Sequence, residues 1–405
     1  MLAFFRPQRA SVGIPTRQLV RAIWQIRWQG SQAVPAVEQR QIFDQGDETE
    51  QVISLLRSNE TEWSNPRSAQ FDFRSDVVTR PTMAMLLAIM KTTLQDDVYR
   101  EDYRTSSLED HVAKLAGHEA GLFVLSGTMA NQLALRTHLN HPPESLLCDA
   151  RSHIIHWEAG GLANTGAMVQ SVAPRNGEFL TLEDIRTKAI LTDDVHKSPT
   201  TVISLENTIS GLVQPLAESR RIASWARQKG LKLHLDGARL WEAVATGAGS
   251  VRDYAECFES VSVDFSKGLG APMGAMILGN EQFINRARRI RKGIGGGMRQ
   301  SGVLSAASWA ALDNFHKLPE VHRLAKTVAD MWISKGGRLR RRTETNLVWI
   351  DLKDDEEFCQ MGVKHGIQVD GCRIVLHHQT SREAIRRLGQ VFDTVLASTP
   401  DEMFR

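Results

Sequence analysis

The sequence predicts an α/β fold, in which a mainly parallel β-sheet lies between layers of helices and a smaller α+β domain follows. Strand-like and helix-like segments alternate between about residues 80 and 310, which is the pattern of parallel strands joined by crossover helices. Apolar residues make up 42% of the 405-residue chain, enough for a large buried core. After about residue 316, helices are mixed with short strand-like runs, which predicts the second domain.

The predicted strands are short apolar or alternating runs that end in small or polar residues. In chain order they are AGLFVLSG, SLLCDA, TTVISLEN, LKLHLDG and ESVSVDFSKG. MANQLALRTHL has helical spacing, and PLAESRRIASWARQKG is a predicted helix with Pro215 in its first turn and Gly230 just beyond its end. We expect a large domain over residues 71–315. The smaller domain, over residues 316–405, is predicted from EVHRLAKTVADMWISKG, TNLVWIDL, EEFCQMGVKHG, CRIVLHH and SREAIRRLGQVFDTVLAS.

Residues 1–70 differ in composition and are expected to form a poorly ordered leader and linker. No acidic residue precedes Glu38, whereas arginines recur from Arg6 to Arg27. This composition is typical of a mitochondrial transit peptide, and equally of an extension without function. We therefore expect an intracellular, cytoplasmic protein, or a protein of the mitochondrial matrix if the leader is a transit peptide.

Charge and cysteine content argue against several classes of protein. The formal net charge is +2, from 49 basic and 47 acidic residues, which gives no reason to expect nucleic acid or an anionic membrane as a partner. None of the four cysteines is in CxxC spacing, so neither a disulfide framework nor a cysteine-built zinc site is expected. No apolar run approaches the roughly 20 residues of a membrane helix.

Asp236 and Lys267 each follow a predicted strand. Asp236 comes at the end of LKLHLDG. In ESVSVDFSKG, apolar and polar residues alternate from Val261 to Phe265, and Lys267 continues that alternation. The carboxyl ends of parallel strands form the edge of the sheet where ligands bind. A partly desolvated lysine at that edge would have a lowered pKa, and its neutral amine would attack an aldehyde.

Ser126, Gly127 and Thr128 lie between a predicted strand and a predicted helix. Backbone N–H groups at a helix start, together with two hydroxyls, form a phosphate site, although such residues also serve as ordinary helix caps. His153 follows another predicted strand, where its imidazole would cover a flat ring or simply lie at the surface. His156 follows three residues later, but no third ligand has suitable spacing, so no metal is expected.

These four features together match the requirements of pyridoxal phosphate. The cofactor needs a lysine that accepts its aldehyde, an acid for its pyridinium nitrogen, a phosphate site and a residue that stacks on its ring. The sequence therefore predicts pyridoxal phosphate as the cofactor, with Asp236 as the partner of the ring nitrogen. Arg239, three residues later, would lie near the ring oxygen or the carboxylate of an amino-acid substrate.

Eight segments closely resemble the low-specificity L-threonine aldolases, a family of fold type I, aspartate-aminotransferase-like enzymes. They are FRSDVVTRPT, DDVY, SGTMANQLAL, HWEAGG, SLENT, LHLDGAR, SKGLGAPMGAMILG and GGGMRQSG. The resemblance runs from about Phe71 to Phe392. It implies a pyridoxal-phosphate-dependent transferase-like fold with a mainly parallel seven-stranded sheet. It also implies a homodimer or homotetramer whose subunits share active sites.

The resemblance implies roles for individual residues. Those expected to hold the cofactor are the covalently bound Lys267, the ring-nitrogen partner Asp236, the stacking residue His153, the phosphate residues Ser126, Gly127 and Thr128, Arg239 near the ring and, towards a neighbouring subunit, Arg299. Those expected to bind the substrate carboxylate are Ser75, Arg239 and Arg373. Two histidines, His153 and His196, are candidates for the base that acts on the substrate hydroxyl.

The implied reaction is a retro-aldol cleavage of L-threonine, L-allo-threonine or a related β-hydroxy-α-amino acid to glycine and acetaldehyde. The alternative is an amino-acid racemase, which breaks the Cα–H bond on the same cofactor. Departures from the family pattern concern the substrate more than the cofactor. Arg100 and Tyr103 stand in DDVYREDYRTSS, in a loop expected near the substrate entrance, and Ile209 replaces a residue that is often polar in the family.

Overall fold

The computed structural model describes Glu50, Ser54 and Trp63, and then residues 65–139 and 141–397. Most of the predicted leader and linker, and with it the proposed transit peptide, lies outside the described residues. The chain divides into two units, Met1–Ser58 and Asn59–Arg405, and the elements named below belong to the second unit. Within residues 65–139 and 141–397, no helix combines the length and the apolar character needed to span a membrane.

A seven-stranded sheet forms the centre of the fold, which confirms the predicted class. Its strand order is β1-β7-β6-β5-β4-β2-β3. The strand β7 is antiparallel to both of its neighbours, and the other four pairs are parallel. The strands are β1 (Ala120–Val124), β2 (Ser145–Asp149), β3 (Met168–Val172), β4 (Thr200–Glu206), β5 (Lys232–Gly237), β6 (Ser260–Asp264) and β7 (Ala275–Gly279).

Thirteen α-helices lie in the described part of this unit. They are α1 (Met83–Met90), α2 (Tyr103–Ala116), α3 (Gly127–His138), α4 (His153–His156), α5 (Leu182–Lys188), α6 (Leu216–Gln228), α7 (Leu240–Ala245), α8 (Val251–Ala255), α9 (Glu281–Gly293), α10 (Gly302–Leu312), α11 (Leu318–Ser334), α12 (Asp355–Lys364) and α13 (Arg382–Ala397). Pro215 precedes α6 as its N-cap rather than occupying its first turn.

Apolar and polar side chains alternate along β5, so that they lie on opposite faces of the sheet. Leu233 and Leu235 pack into the main hydrophobic cluster on one face of the sheet. His234 and Asp236 therefore point to the opposite face, where both form hydrogen bonds with Asn131 of α3. The alternation that places the leucines in the core therefore also places His234 and Asp236 on the face covered by α3.

A second hydrophobic cluster surrounds the two-stranded antiparallel sheet of β8 (Leu347–Trp349) and β9 (Arg373–Val375). Phe73, far away in the sequence, is fully buried in this cluster, and its backbone pairs with Val375 at 2.8 Å. Helix α11 reaches both clusters, through Leu318 and Val321 respectively. The division into domains at residues 71–315 and 316–405 stays a prediction.

Candidate active site

Acidic residues end three adjacent strands at the carboxyl edge of the sheet. Glu206 ends β4, Asp236 lies next to the end of β5, and Asp264 ends β6. Glu206 and Asp236 are direct partners in the parallel register. His153 follows β2 and approaches the same edge, because its backbone N–H donates to Glu206 Oε2 at 2.9 Å.

Asp236 is a buried carboxylate without a cationic partner. It is 2% exposed. Its Oδ2 accepts a hydrogen bond from Asn131 Nδ2 at 2.8 Å, and its Oδ1 accepts one from the backbone N–H of Ala238 at 3.1 Å. No lysine or arginine among the described residues forms an ion pair with it. A buried charge normally has a counter-charge, so this site fits a protonated ring nitrogen.

Lys267 lies at the same edge, paired with Asp264. The Lys267 Nζ atom is 2.8 Å from Asp264 Oδ2, and 15% of the lysine side chain is exposed. Burial is the largest single influence and lowers the pKa of Lys267, but the negative charges of Asp264 and Asp236, together with the hydrogen bond to Asp264, outweigh it, so that the net pKa is raised. The structure therefore corrects the expectation that this lysine has a lowered pKa when no cofactor is bound.

The position of Lys267 also differs from the predicted strand alternation. Val261 and Val263 pack into the main cluster, so a strand continued to Lys267 would point that side chain into the core. Instead β6 ends at Asp264, and the chain turns before the lysine. This turn brings the Lys267 amine to the face of the sheet that carries Asp264.

The start of α3 has the features expected of a phosphate site. Ser126 is the N-cap, and its hydroxyl accepts a hydrogen bond from the Met129 N–H at 3.2 Å. A Cβ atom at Gly127 would lie 2.6 Å from Asp264 Oδ1, so only glycine allows α3 to approach β6 this closely. The first backbone N–H groups of the helix and the Thr128 hydroxyl are then available to an anion.

His153 is oriented by Glu158, a residue that the sequence did not single out. The His153 Nδ1 atom lies 3.0 Å from Glu158 Oε1. The hydrogen bond to this carboxylate raises the pKa of His153 despite its partial burial. In the neutral form, with the hydrogen on Nδ1, the other ring nitrogen carries a lone pair and acts as a base.

Glu206 is a second acid that sequence reasoning missed. Burial, with the negative charge of Asp236 as the next cause, raises the pKa of Glu206 to about 8. Its contact with the His153 backbone ties the start of α4 to the end of β4. A glutamate at the end of the run TTVISLE is a sequence signal of the same kind as Asp236.

The three predicted carboxylate-binding residues gather around Asp76. Arg239 forms a bidentate pair with Asp76, through Nε at 2.8 Å and one terminal nitrogen at 2.7 Å. Burial raises the pKa of Asp76, but the Arg239 guanidinium outweighs burial and holds it well below its usual range. Ser75 precedes Asp76 and caps its short helical turn. Arg239 is thus already occupied by a carboxylate of the protein.

Arg373, in contrast, has its charge available for a substrate. One of its terminal nitrogens donates to the backbone oxygen of Arg74 at 3.0 Å. No carboxylate in the described ranges lies within ion-pair distance of its guanidinium. Burial, and then the positive charge of Arg239, lower the pKa of Arg373. A carboxylate ligand would relieve both unfavourable effects.

His196 is not brought to this edge within the chain. It precedes β4, so it lies near the amino end of that strand, and its side chain is 87% exposed and 2.9 Å from Asp194. The active-site edge is at the other end of the strand, roughly 20 Å away for seven residues. Its role as a base stays a prediction that a single chain does not support.

Four other residues singled out in the sequence form no hydrogen bond or ion pair with the residues of the carboxyl edge in the described part of the chain. Arg299 is exposed, and its backbone oxygen accepts from the Asp97 N–H. Tyr103 is exposed at the first residue of α2, and Arg100 is exposed before that helix, in a left-handed conformation at φ 61°. Ile209 is 3% exposed, which explains an apolar residue at that position. The roles proposed for the first three stay predictions.

Comparison with known proteins decides the family. The model of the beta-eliminating lyases matches residues 72–355. The chain belongs to the beta-eliminating lyase family. This membership confirms the predicted enzyme class and the predicted cofactor, pyridoxal phosphate, which the residues at the carboxyl edge fit. The lone buried charge of Asp236, the close approach at Gly127 and the buried amine of Lys267 are the features that fit it.

Among curated members, two relatives are equally similar to this chain but differ in name. An alanine racemase of Cochliobolus carbonum is 50% identical, covering 86% of this chain and 94% of its own length. An aldolase of Penicillium aethiopicum is also 50% identical, covering 84% and 89%. A low-specificity L-threonine aldolase of Eremothecium gossypii is 44% identical, covering 80% and 87%. The predicted resemblance to low-specificity L-threonine aldolases is confirmed.

A solved structure confirms the fold. The threonine aldolase of Leishmania major matches with a TM-score of 0.71 at 20% sequence identity, covering 80% of this chain and 99% of that chain. At this identity the likeness concerns the fold alone. The fold type I architecture implied by the sequence motifs is therefore the architecture of this family member.

Proposed function

We propose that this enzyme cleaves the Cα–Cβ bond of a β-hydroxy-α-amino acid, with L-threonine or L-allo-threonine as substrate and glycine and acetaldehyde as products. The observation that carries this proposal is the pairing of His153 with Glu158 beside Asp236. The nitrogen and oxygen atoms of these three side chains lie within 4.8 Å of one another. The proposed base, His153, thus lies beside Asp236, the proposed partner of the electron-accepting cofactor ring.

Pyridoxal phosphate, when bound, supplies the acceptor for the electron pair of the broken bond. Asp236 keeps a negative charge opposite the ring nitrogen, and the start of α3 holds the phosphate. Arg373 binds the substrate carboxylate, while Asp76 fixes Arg239 beside it. These groups orient the substrate without taking part in proton transfer.

His153 takes the proton from the substrate hydroxyl, so that the Cβ–O bond becomes a carbonyl as the Cα–Cβ bond breaks. Lys267, in its ammonium form, then donates a proton to the α-carbon, which completes glycine. The nearby carboxylate of Asp264 favours that ammonium form. The charge on Lys267 thus suits it to protonate the α-carbon rather than to remove a proton from it.

A racemase is the second candidate, because one of the two relatives at 50% identity is an alanine racemase. Racemisation needs a base that removes the α-hydrogen of the substrate. Lys267 would have to lose its proton to serve, and the pairing with Asp264 opposes that loss. The base that His153 offers to a substrate hydroxyl, oriented by Glu158, is the reason for preferring the aldolase.

The experiment that tests the proposal is acetaldehyde release by the purified protein with pyridoxal phosphate. L-threonine and L-allo-threonine are supplied separately, and the aldehyde is measured by coupled reduction. Release from either substrate supports the aldolase, and the ratio of the two rates gives the preference at the β-carbon. A protein that binds the cofactor, yet releases no aldehyde from either substrate, would overturn the proposal.

Replacing Arg373 by glutamine is expected to raise KM for the amino acid by about tenfold to a hundredfold, because a charged hydrogen bond to the carboxylate is lost. The effect on kcat should be smaller. Arg342→Gln is the matched control, since that arginine already pairs with Glu344 at 2.6 Å. Initial rates over a range of substrate concentrations measure both constants. An unchanged KM in Arg373→Gln would remove this arginine from the substrate site.

The pH profile should report His153. Its raised pKa means that the neutral base is lost as pH falls through a value above the ordinary histidine value of about 6.5. Glu158→Gln removes the carboxylate that raises this pKa, so the acid limb of kcat/KM should move to lower pH. Glu183→Gln, at an exposed position paired with Arg221, is the control. An acid limb that stays in place would exclude His153 as the titrating base.

We also propose a homodimer or homotetramer in which Arg299 reaches the phosphate of a neighbouring subunit. The exposure of Arg299 supports this arrangement, and His196 would require it in order to act near a substrate. Light scattering of the purified protein measures the assembly. We further propose that the protein is located in the cytoplasm, or in the mitochondrial matrix if the leader is a transit peptide.

A further inference from the structure

Asn131 lies at the centre of a saturated hydrogen-bond network behind the active site. It belongs to α3 and is 1% exposed. Its Nδ2 donates to Asp236 Oδ2 at 2.8 Å and to Glu158 Oε1 at 2.9 Å. Its Oδ1 accepts from Ser262 Oγ at 2.9 Å and from His234 Nε2 at 3.1 Å. An amide side chain offers two hydrogens and two lone pairs, so all four are used.

The hydrogen-bond partners of Asn131 fix the orientation of its amide. His234 is fully buried, and burial lowers its pKa to about 4, so the imidazole is neutral near neutral pH. Because the Asn131 N–H groups face the two carboxylates, its Oδ1 faces His234, so Nε2 of the neutral imidazole carries the hydrogen that Asn131 accepts, while Nδ1 lies 2.9 Å from the Ser260 hydroxyl. A flipped amide would point its oxygen at two carboxylates. The network thus permits one orientation.

In that orientation the Asn131 amide donates one hydrogen bond to Asp236 and one to Glu158, two acids with different proposed roles. Asp236 faces the position of the cofactor ring, and Glu158 orients His153. Two buried carboxylates this close repel each other in a medium of low dielectric constant. An N–H donor between them offsets the repulsion and fixes both side chains.

We infer that Asn131 is a positioning residue that couples the cofactor site to the base. It holds Asp236 against the ring nitrogen and, through Glu158, holds His153 towards the substrate hydroxyl. The second of these roles rests on the proposed function. The first does not, because cofactor binding requires no substrate.

The test compares the affinity of the apoenzyme for pyridoxal phosphate, followed by its visible absorption band. Asn131→Ser and Asn131→Asp are the variants. Gln132→Met is the matched control, since Gln132 donates to Glu158 Oε2 at 2.9 Å and forms no hydrogen bond with Asp236. We expect Asn131→Ser to weaken cofactor binding about tenfold or more, and Gln132→Met to leave it within about twofold of the wild type.

Asn131→Asp gives a signature that a merely structural role would not produce. The new carboxyl faces two others, so it can donate a hydrogen bond only while protonated. Cofactor affinity in this variant should therefore fall as pH rises, more steeply than in the wild type. Thermal melting of each apoenzyme identifies a variant that fails to fold.

Folded Asn131 variants with wild-type cofactor affinity and wild-type pH dependence would overturn the inference. A wild-type protein that binds the cofactor but cleaves no threonine would overturn the proposed function instead. The two failures are distinguished because the affinity measurement uses no amino acid. Asn131 and Gln132 both donate to Glu158, which orients His153. A shift of the acid limb of kcat/KM in both Asn131→Ser and Gln132→Met would therefore support the proposal that Asn131 positions His153 through Glu158.

Discussion

Lys267→Ala is expected to abolish aldehyde release, by roughly three orders of magnitude or more, and to remove the visible band of the bound cofactor. In the proposed mechanism, Lys267 supplies the amine that captures the cofactor aldehyde and the proton that completes glycine. No other lysine forms an ion pair at the carboxyl edge in the described part of the chain. Absorption spectra and coupled aldehyde assays measure the two effects.

Lys267→Arg separates the chemistry of this residue from its charge. The guanidinium keeps a cation beside Asp264, which is 3% exposed, so the fold should be preserved. It is always protonated and is not a nucleophile towards an aldehyde, so activity and the absorption band should still be lost. Lys267→Arg protein that retains either of them would show that another group binds the cofactor.

Asp236→Asn is expected to lower kcat on the order of a hundredfold and to weaken cofactor binding. The substitution keeps the shape of the side chain but removes the negative charge opposite the ring nitrogen. The ring then loses the partner that keeps it protonated, and it accepts electrons less well. Single-substrate kinetics and cofactor titration measure the two losses.

Asp264→Asn is the matched control for this prediction, because it also removes a buried carboxylate from the same edge. Asp264 contacts Lys267 and Gly127 rather than the network of Asn131. Its removal should lower the pKa of Lys267 and should not weaken binding of the cofactor phosphate. Equal losses of affinity in Asp236→Asn and Asp264→Asn would contradict a specific role for Asp236.

The location of Asp236 at the carboxyl edge follows from the strand pattern, which is why that location could be predicted from the sequence. Leucines at alternate positions specify the buried face of β5, and the following acid then lies at the carboxyl edge of the sheet. The same logic put Lys267 at this edge, where the structure also has it, but it did not give the face of the sheet, since the turn after Asp264 changes the face on which the lysine lies. Alternation holds only as far as the strand continues.

Residues that act through distant partners were not predictable in this way. Asn131 contacts Glu158 and Asp236, which are 27 and 105 positions away, and one sequence carries no signal that links them. Glu158 stands in HWEAGG, close to His153, but nothing in the segment indicates that it is 4% exposed. The fold brings these residues together, so their contacts became evident only from the structure.

Two strands were also missed individually. β3 carries a mixture of exposed and buried residues from Met168 to Val172, so it lacks a clear apolar pattern. β7 is fully buried from Ala275 to Gly279, and a short apolar run of this kind does not distinguish a strand from a helix. The seven-stranded sheet was implied only by the family resemblance.

The most direct test of the account is the fate of L-threonine and L-alanine, supplied together to the enzyme with pyridoxal phosphate in deuterium oxide. Proton NMR follows both substrates in one sample. Glycine and acetaldehyde should appear from threonine, while the α-proton of alanine is retained over the same period. Loss of that proton, formation of D-alanine and no acetaldehyde would contradict the account and identify the enzyme as a racemase.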